Sequence, residues 1–180
     1  MLITTDGLVI SRREFGDTSC FIDILTKEYG VVETAAKGVK KINSHLAQST
    51  TLFSYSEFCM NKSSLRYTIN SAKCKMSFHD LSADLRKFAL AAYFAELIKF
   101  TATPEQDSGG TLRLMLIALY ELNRDKYTTV QIKSGFESGF ARELGFGDGG
   151  EVTTDSEAYL LRHLDVAGFK TLDYYKAINN

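Results

Sequence analysis

Cysteine is scarce in this sequence, and the cysteines present do not pair. Cys20, Cys59 and Cys74 are odd in number, widely spaced and without a CxxC motif. That pattern supports neither a disulfide framework nor a zinc knuckle, and points to a reduced, cytoplasmic protein. No apolar run approaches the roughly eighteen residues of a membrane-spanning helix. The opening MLITTDGLVISRREF carries Asp6 where a secretory leader would be basic, so no signal peptide is expected. Histidine is equally thin: His45, His79 and His163 lie far apart, with no HExxH and no second ligand at metal spacing. No metal and no cofactor is implied. A GxSxG elbow and a Walker A loop are also missing. The His79-Asp80 neighbours lack a nucleophile and read as capping or surface residues at a helix start. Asp80 and Asp84 share a helix face that a solvated acidic surface explains. Gly145-Phe146-Gly147-Asp148-Gly149-Gly150 matches G-x-G-x-x-G formally. It follows a helix rather than a strand, so it reads as a C-cap and loop, not a dinucleotide site. With so little to support catalysis, the chain reads as a binding protein, not an enzyme.

What is present is ordinary in total and uneven in distribution. The 180 residues are 44% hydrophobic and 24% charged, enough for one sizeable domain or two small ones. Net charge is −1. Residues 1–75 hold ten Lys and Arg against seven Asp and Glu, and residues 76–180 hold eleven against fifteen. Between Lys37 and Lys75 seven cations face one anion, Glu57. Such a local excess steers polyanions even in a chain that is nearly neutral overall.

Residues 1–77 alternate at period two. Strands are expected over Leu2–Ser11 (with a bulge or bend at Gly7), Cys20–Leu25, Val31–Ala36, Thr50–Met60 and Leu65–Asn70, with a polar turn over Arg12–Thr18. Five short strands in that length suggest a small closed barrel, an OB-fold or an SH3-like barrel. Near residue 77 the period changes to that of helices. Phe78–Thr103 reads as a helix buried on most sides and ended by Pro104, the only proline. Further helices are expected over Leu112–Asn123 and Thr129–Leu144 with Gly145 as C-cap. A fourth opens at a Thr154-x-x-Glu157 capping box and closes at Gly168, and a short last one covers Thr171–Ile178. The expected class is α+β: a strand-built domain over 1–77 and an all-α domain over 78–180.

The stretch Ala35–Met60 joins these features. It leaves one strand, crosses a basic loop at Lys37, Lys40 and Lys41, and enters another carrying Phe53, Tyr55 and Phe58. Cations for phosphates beside rings for bases are what a single-stranded nucleic acid requires. A solvated loop before a half-buried strand is the plainer alternative.

Several segments occur together in a recognisable order: Gly7-Leu8-Val9-Ile10, FGDTSCFIDIL from Phe15, and Thr26-Lys27-Glu28-Tyr29-Gly30. Ala36-Lys37-Gly38-Val39-Lys40-Lys41 and Phe53-Ser54-Tyr55-Ser56-Glu57-Phe58 follow. Phe78-His79-Asp80-Leu81, Ala92 to Leu97, Phe136-Glu137 and Leu144-Gly145-Phe146 complete the order. From about Gly7 to Phe146 the chain resembles the RecO family of bacterial recombination mediators. The resemblance implies an N-terminal OB-fold and a C-terminal helical domain. It further implies a non-catalytic, nucleoid-associated mediator that binds single- and double-stranded DNA and promotes annealing. Its implied partners are RecR and the acidic C-terminal tail of the single-strand-binding protein SSB, with RecA loaded on gapped DNA as the outcome. Many members of the family carry four zinc-binding cysteines after the Leu-Gly-aromatic segment. Here that region, GDGGEVTTDSEAY, has none, as expected of a short form.

Matching positions and physical sense together give the candidate site. Arg12, Arg13, Lys37, Lys40, Lys41, Arg66, Lys73 and Lys75 are expected to contact phosphates. Tyr55 and Tyr67 are expected to stack on bases if they face outward, the barrel core being their other place. For the SSB tail, Lys133 and Arg142 beside Phe136 and Phe140 offer cations next to an apolar row. Snorkelling surface side chains would look the same. Two other classes remain open: a protein–protein adaptor that uses the barrel without touching DNA, and an oligosaccharide-binding OB domain.

Overall fold

The computed structural model describes residues 1–41, 44–63, 66–147 and 155–179. The chain divides into two compact units. One comprises Met1–His79 with Thr101–Leu112, and the other Asp80–Phe100 with Arg113–Asn180.

The first unit holds β1 (Leu2–Phe15), β2 (Ser19–Thr26), β3 (Val31–Ala36), β4 (Ser54–Lys62) and β5 (Tyr67–Ser77). They close in the order β1-β2-β3-β5-β4, because β1 pairs with both β2 and β4. The pairing of β3 with β5, Thr34 opposite Tyr67, is parallel, and the other ladders are antiparallel. This is an OB-like arrangement, and closure leaves no long strand edge to template aggregation. Alternation puts Cys20, Ile22 and Ile24 of β2 inside, with Val9, Phe58 and Met60 facing them across the core. Asp23 and Leu25 are buried as well, so β2 is covered on both faces toward its end.

Gly7 is not the site of a bulge. The register shift falls between Val9 and Ser11. Glycine is required at position 7 because a Cβ there would lie 2.5 Å from Cγ2 of Ile24. Three other strand limits differ from expectation. β1 continues to Phe15, so Arg12 and Arg13 belong to a strand, and the turn narrows to residues 16–18, with Gly16 at φ 60°. β4 begins at Ser54 because Gln48–Thr50 forms a short 3-10 turn. β5 extends to Ser77, carrying Lys73 and Lys75 along the β4 ladder. Its second half, NSAKCKMS, has no apolar run to signal a strand; pairing with β4 supplies the order that composition does not.

A segment after the first helix belongs to the barrel unit. The Glu105 amide donates to the Tyr29 carbonyl at 3.2 Å, and that of Ser108 to the Lys27 carbonyl at 2.8 Å. Gly30 is forced to be glycine twice over: its φ is +68°, and a Cβ would meet the Thr103 carbonyl oxygen at 2.5 Å.

The second unit is helical: α1 (Leu85–Thr101), α2 (Gly109–Arg124, entering from the barrel unit), α3 (Thr129–Glu143), α4 (Ser156–Leu164) and α5 (Lys170–Asn179). α1 starts later than its periodicity suggests. His79–Ala83 is a 3-10 turn, and the Asp84 carboxylate caps the helix by accepting from the amides of Arg86 and Lys87. Thr128 and Gln131 form a reciprocal capping box at α3, and Gly145 follows its end at φ 78°. At α4 the cap is Asp155, accepting from the Ala158 amide at 3.0 Å, and the helix closes at left-handed Asp165 rather than at Gly168. Thr154 and residues 148–150 of the glycine-rich stretch lie outside the described residues. Phe94, Phe136 and Phe140 form the core, with Phe94 and Phe136 stacked at 3.9 Å. Fully burying such a ring contributes about 1.5–3 kcal/mol. Among the described residues no helix is long and apolar enough to cross a membrane.

Candidate nucleic-acid interface

A groove of about 660 Å³ runs over the outer face of β2, β3 and the start of β5. Four rings line it: Phe15, Phe21, Tyr29 and Tyr67. Phe15 ends β1 and is 56% exposed, held against Phe21 of β2 at 4.7 Å between ring centres. Tyr67 opens β5, and its carbonyl accepts from the Thr34 hydroxyl at 2.8 Å, fixing the parallel joint under the groove. It lines the groove while also packing on the core, and its own hydroxyl is enclosed without a hydrogen-bond partner among the described residues. Pro104 and Glu105 supply one wall.

Charge in the groove is mixed, but the signs are not equivalent. The two lining carboxylates each have a cation of their own. Glu33 is paired with Arg13, whose guanidinium also sits 5.9 Å over the Phe21 ring. Glu105 pairs with Lys62 at 2.7 Å, and that hydrogen bond raises the Lys62 pKa above its ordinary value. Lys62 also lies 5.4 Å over the Tyr29 ring. Lys37 and Arg66 line the same groove and have no carboxylate partner among the described residues. With Arg13 and Lys62 at the rim offsetting the two carboxylates, they leave an excess of positive charge beside the exposed Phe15 ring and the half-buried rings of Phe21, Tyr29 and Tyr67.

The remaining candidates fall elsewhere on the barrel. Arg12 lies 3.8 Å from Glu14, and Lys40 is paired with the same carboxylate. Lys41, in the loop beyond, carries no ion pair among the described residues. Tyr55 belongs to a separate cluster. Its hydroxyl donates to Asp6 at 3.1 Å, and Lys75 pairs with Asp6 and, at 3.7 Å, with Glu57. Burial and then the Asp6 bond raise the Tyr55 pKa, and the Asp6 bond likewise raises that of Lys75. Lys73 is exposed opposite Glu57. Tyr55 faces Met76 and Lys62 faces Tyr67 on one ladder. Tyr55 and Tyr67 are therefore seven residues apart along β4, about 23 Å, and cannot stack neighbouring bases together.

Sequence reasoning missed Phe15, Phe21 and Tyr29. Phe21 is marked by its place opposite Cys20 and Ile22 in the alternation of β2, whereas Phe15 falls within the stretch expected to be a turn. The four residues considered for an acidic tail do not form an exposed groove. Phe136 and Phe140 are 2% and 1% exposed. Lys133 is held between Glu137 and Glu157, each at 2.8 Å. Arg142 is exposed at the end of α3. Among the described residues no cluster of three His, Cys, Asp or Glu side chains is placed to hold a metal.

Residues 1–78 match the family model for the recombination protein O N terminus. The chain is 31% identical over 144 residues to the DNA repair protein RecO of Acetivibrio thermocellus, covering 80% of this chain and 57% of that one. It is 31% identical over 137 residues to RecO of Alkaliphilus metalliredigens, covering 76% and 56%, and 31% identical over 123 residues to that of Bacillus subtilis, covering 68% and 48%. The chain thus spans about half the length of the curated relatives it matches. With its OB-like barrel, its helical unit and these likenesses across most of its length, this chain belongs to the RecO family.

Proposed function

We propose that the barrel unit binds single-stranded DNA along the β2–β3–β5 groove, with Phe15, Phe21, Tyr29 and Tyr67 as surfaces for bases and Lys37 and Arg66 as phosphate contacts. The observation that carries this reading is the convergence of four rings and two uncompensated cations in one groove. Stacking on rings is indifferent to base identity, and phosphate contacts release counterions, so binding without sequence preference and with strong salt dependence follows. Arg12, Arg13, Lys40 and Lys41 extend the basic strip beyond the groove. Lys73, Lys75 and Tyr55, on the far end of the β4–β5 ladder, serve a second strand or a duplex in this reading. The names of the relatives support a role in DNA repair. We assign the chain the part of a mediator that anneals strands and, with RecR and SSB, prepares gapped DNA for RecA. Docking of the SSB tail at Lys133, Phe136, Phe140 and Arg142 draws no support from their placement.

The test is fluorescence anisotropy of a labelled single-stranded oligonucleotide, titrated at several salt concentrations. Micromolar or tighter binding that weakens steeply with salt is expected. Absence of binding at low salt would refute the reading and leave the barrel as a protein adaptor, whose apolar contacts respond little to salt.

A further inference from the structure

In the helical unit α3 carries two glycines one turn apart, and only one of them is explained by internal packing. A Cβ on Gly139 would meet Cδ1 of Leu114 at 2.8 Å, so that glycine lets α2 approach α3. A Cβ on Gly135 would meet nothing within 4 Å. Glycine inside a helix weakens it relative to any ordinary residue, yet among the described residues no contact requires glycine at position 135. Gly135 opens instead onto a second groove, of about 430 Å³, between α2 and α3. Leu114, Ile117, Ile132 and Phe136 make it apolar, and Ile117 is 50% exposed. Among the described residues no lysine or arginine lines it, and its one charged group is Glu121, whose Oε2 is enclosed and has no hydrogen-bond partner there.

We infer that this groove receives an amphipathic helix of a protein partner, with apolar side chains on Leu114, Ile117 and Tyr127 above the buried Ile132 and Phe136, and one lysine or arginine reaching Glu121. An enclosed carboxylate oxygen without a donor is costly to leave unpaired and selects a cationic group. The bare helix surface at Gly135 lets the partner's backbone come close, as in helix-in-groove recognition. An acidic peptide is disfavoured here, because it would bring a second negative charge into an apolar cleft beside Glu121. This inference stands apart from the DNA reading, since it uses only the helical unit.

The test uses the full chain and two labelled amphipathic peptides. They share leucines at i, i+4 and i+7 and differ by a single lysine or glutamate within that stripe. Anisotropy should give binding of the lysine peptide, with the glutamate peptide about tenfold weaker or more. Glu121→Gln should narrow that difference. Gly135→Leu should abolish binding while the unfolding temperature holds or rises, because leucine is the better helix former. Equal affinity for both peptides, undiminished binding by Gly135→Leu, or no binding of the lysine peptide below about 1 mM would each overturn the inference.

Discussion

Replacing Lys37 and Arg66 together by glutamine is the sharpest probe of the barrel groove. The other charges in and beside it are matched: Glu33 by Arg13 and Glu105 by Lys62. The double variant therefore removes the uncompensated charge and leaves the rings in place. For a single strand, log K falls with log salt by about 0.7 per phosphate contact, so losing two contacts flattens the slope by about 1.4. Taking 1 M salt as the common reference, that amounts to about 25-fold weaker binding at 0.1 M. Both side chains are exposed, and substitutions at such positions leave stability nearly unchanged. A melting curve thus separates lost binding from lost folding. The opposite change is expected from Glu14→Gln, which releases Lys40 from its carboxylate. One added contact tightens binding about fivefold at 0.1 M salt. The assay is the anisotropy titration, run on all three proteins at four or more salt concentrations. If the double variant binds within about twofold of the parent with the same slope, the groove is not the DNA site.

Two further predictions concern what holds each unit together. Glu137 is fully buried and accepts from Tyr93 at 2.9 Å, Ser156 at 2.7 Å and Lys133 at 2.8 Å. Glu137→Gln leaves Lys133 with only Glu157, at a cost of about 3 kcal/mol and a fall of about 12–24 °C in the melting of the helical unit. A fall under roughly 3 °C would mean that the network adds little to stability. In the barrel, Gly7→Ala places a methyl 2.5 Å from Cγ2 of Ile24. Overpacking of that kind costs about 1–3 kcal/mol, read as a lower denaturant midpoint, and an unchanged midpoint would show that the β1–β2 ladder shifts freely.

The period of the apolar residues carried most of the architecture. Strand β3 was legible to the residue, because the β-branched start Val31-Val32 and the small residues up to Ala36 lie between turn glycines, Gly30 and Gly38. The end of β5 was not, because Lys73 and Lys75 sit in a polar run whose strand conformation comes from pairing with β4, a long-range fact. The same limit applied to the site. Composition marked the basic stretch that holds Lys37 and Arg66, and folding brings these two to one groove. It had no means of showing that Lys40, Lys75 and Arg13 each meet a carboxylate brought from another strand or loop. Nor did it show that Tyr55 and Tyr67 lie at opposite ends of one ladder. Phe15 escaped because an aromatic beside Gly16-Asp17 looks like part of a turn, whereas β1 carries it out to the groove.

These intrachain pairs bear directly on how strongly a chain of net charge −1 would hold a polyanion in the proposed groove. Exposed pairs such as Arg13–Glu33 and Lys40–Glu14 contribute only about 0–1 kcal/mol each, so a phosphate need not overcome much to replace the carboxylate. If none of them opens, Lys37 and Arg66 alone set a salt slope near 1.4. If Arg13, Lys40 and Lys62 exchange partners and Lys41 joins them, six contacts bring it to about 4. The weak hold of exposed carboxylates favours exchange, so the slope of the parent protein should exceed 1.4 clearly. The freed Glu33, Glu14 and Glu105 would then stand beside the bound strand as negative neighbours. That would keep the complex weaker than its contact count suggests and easy to release.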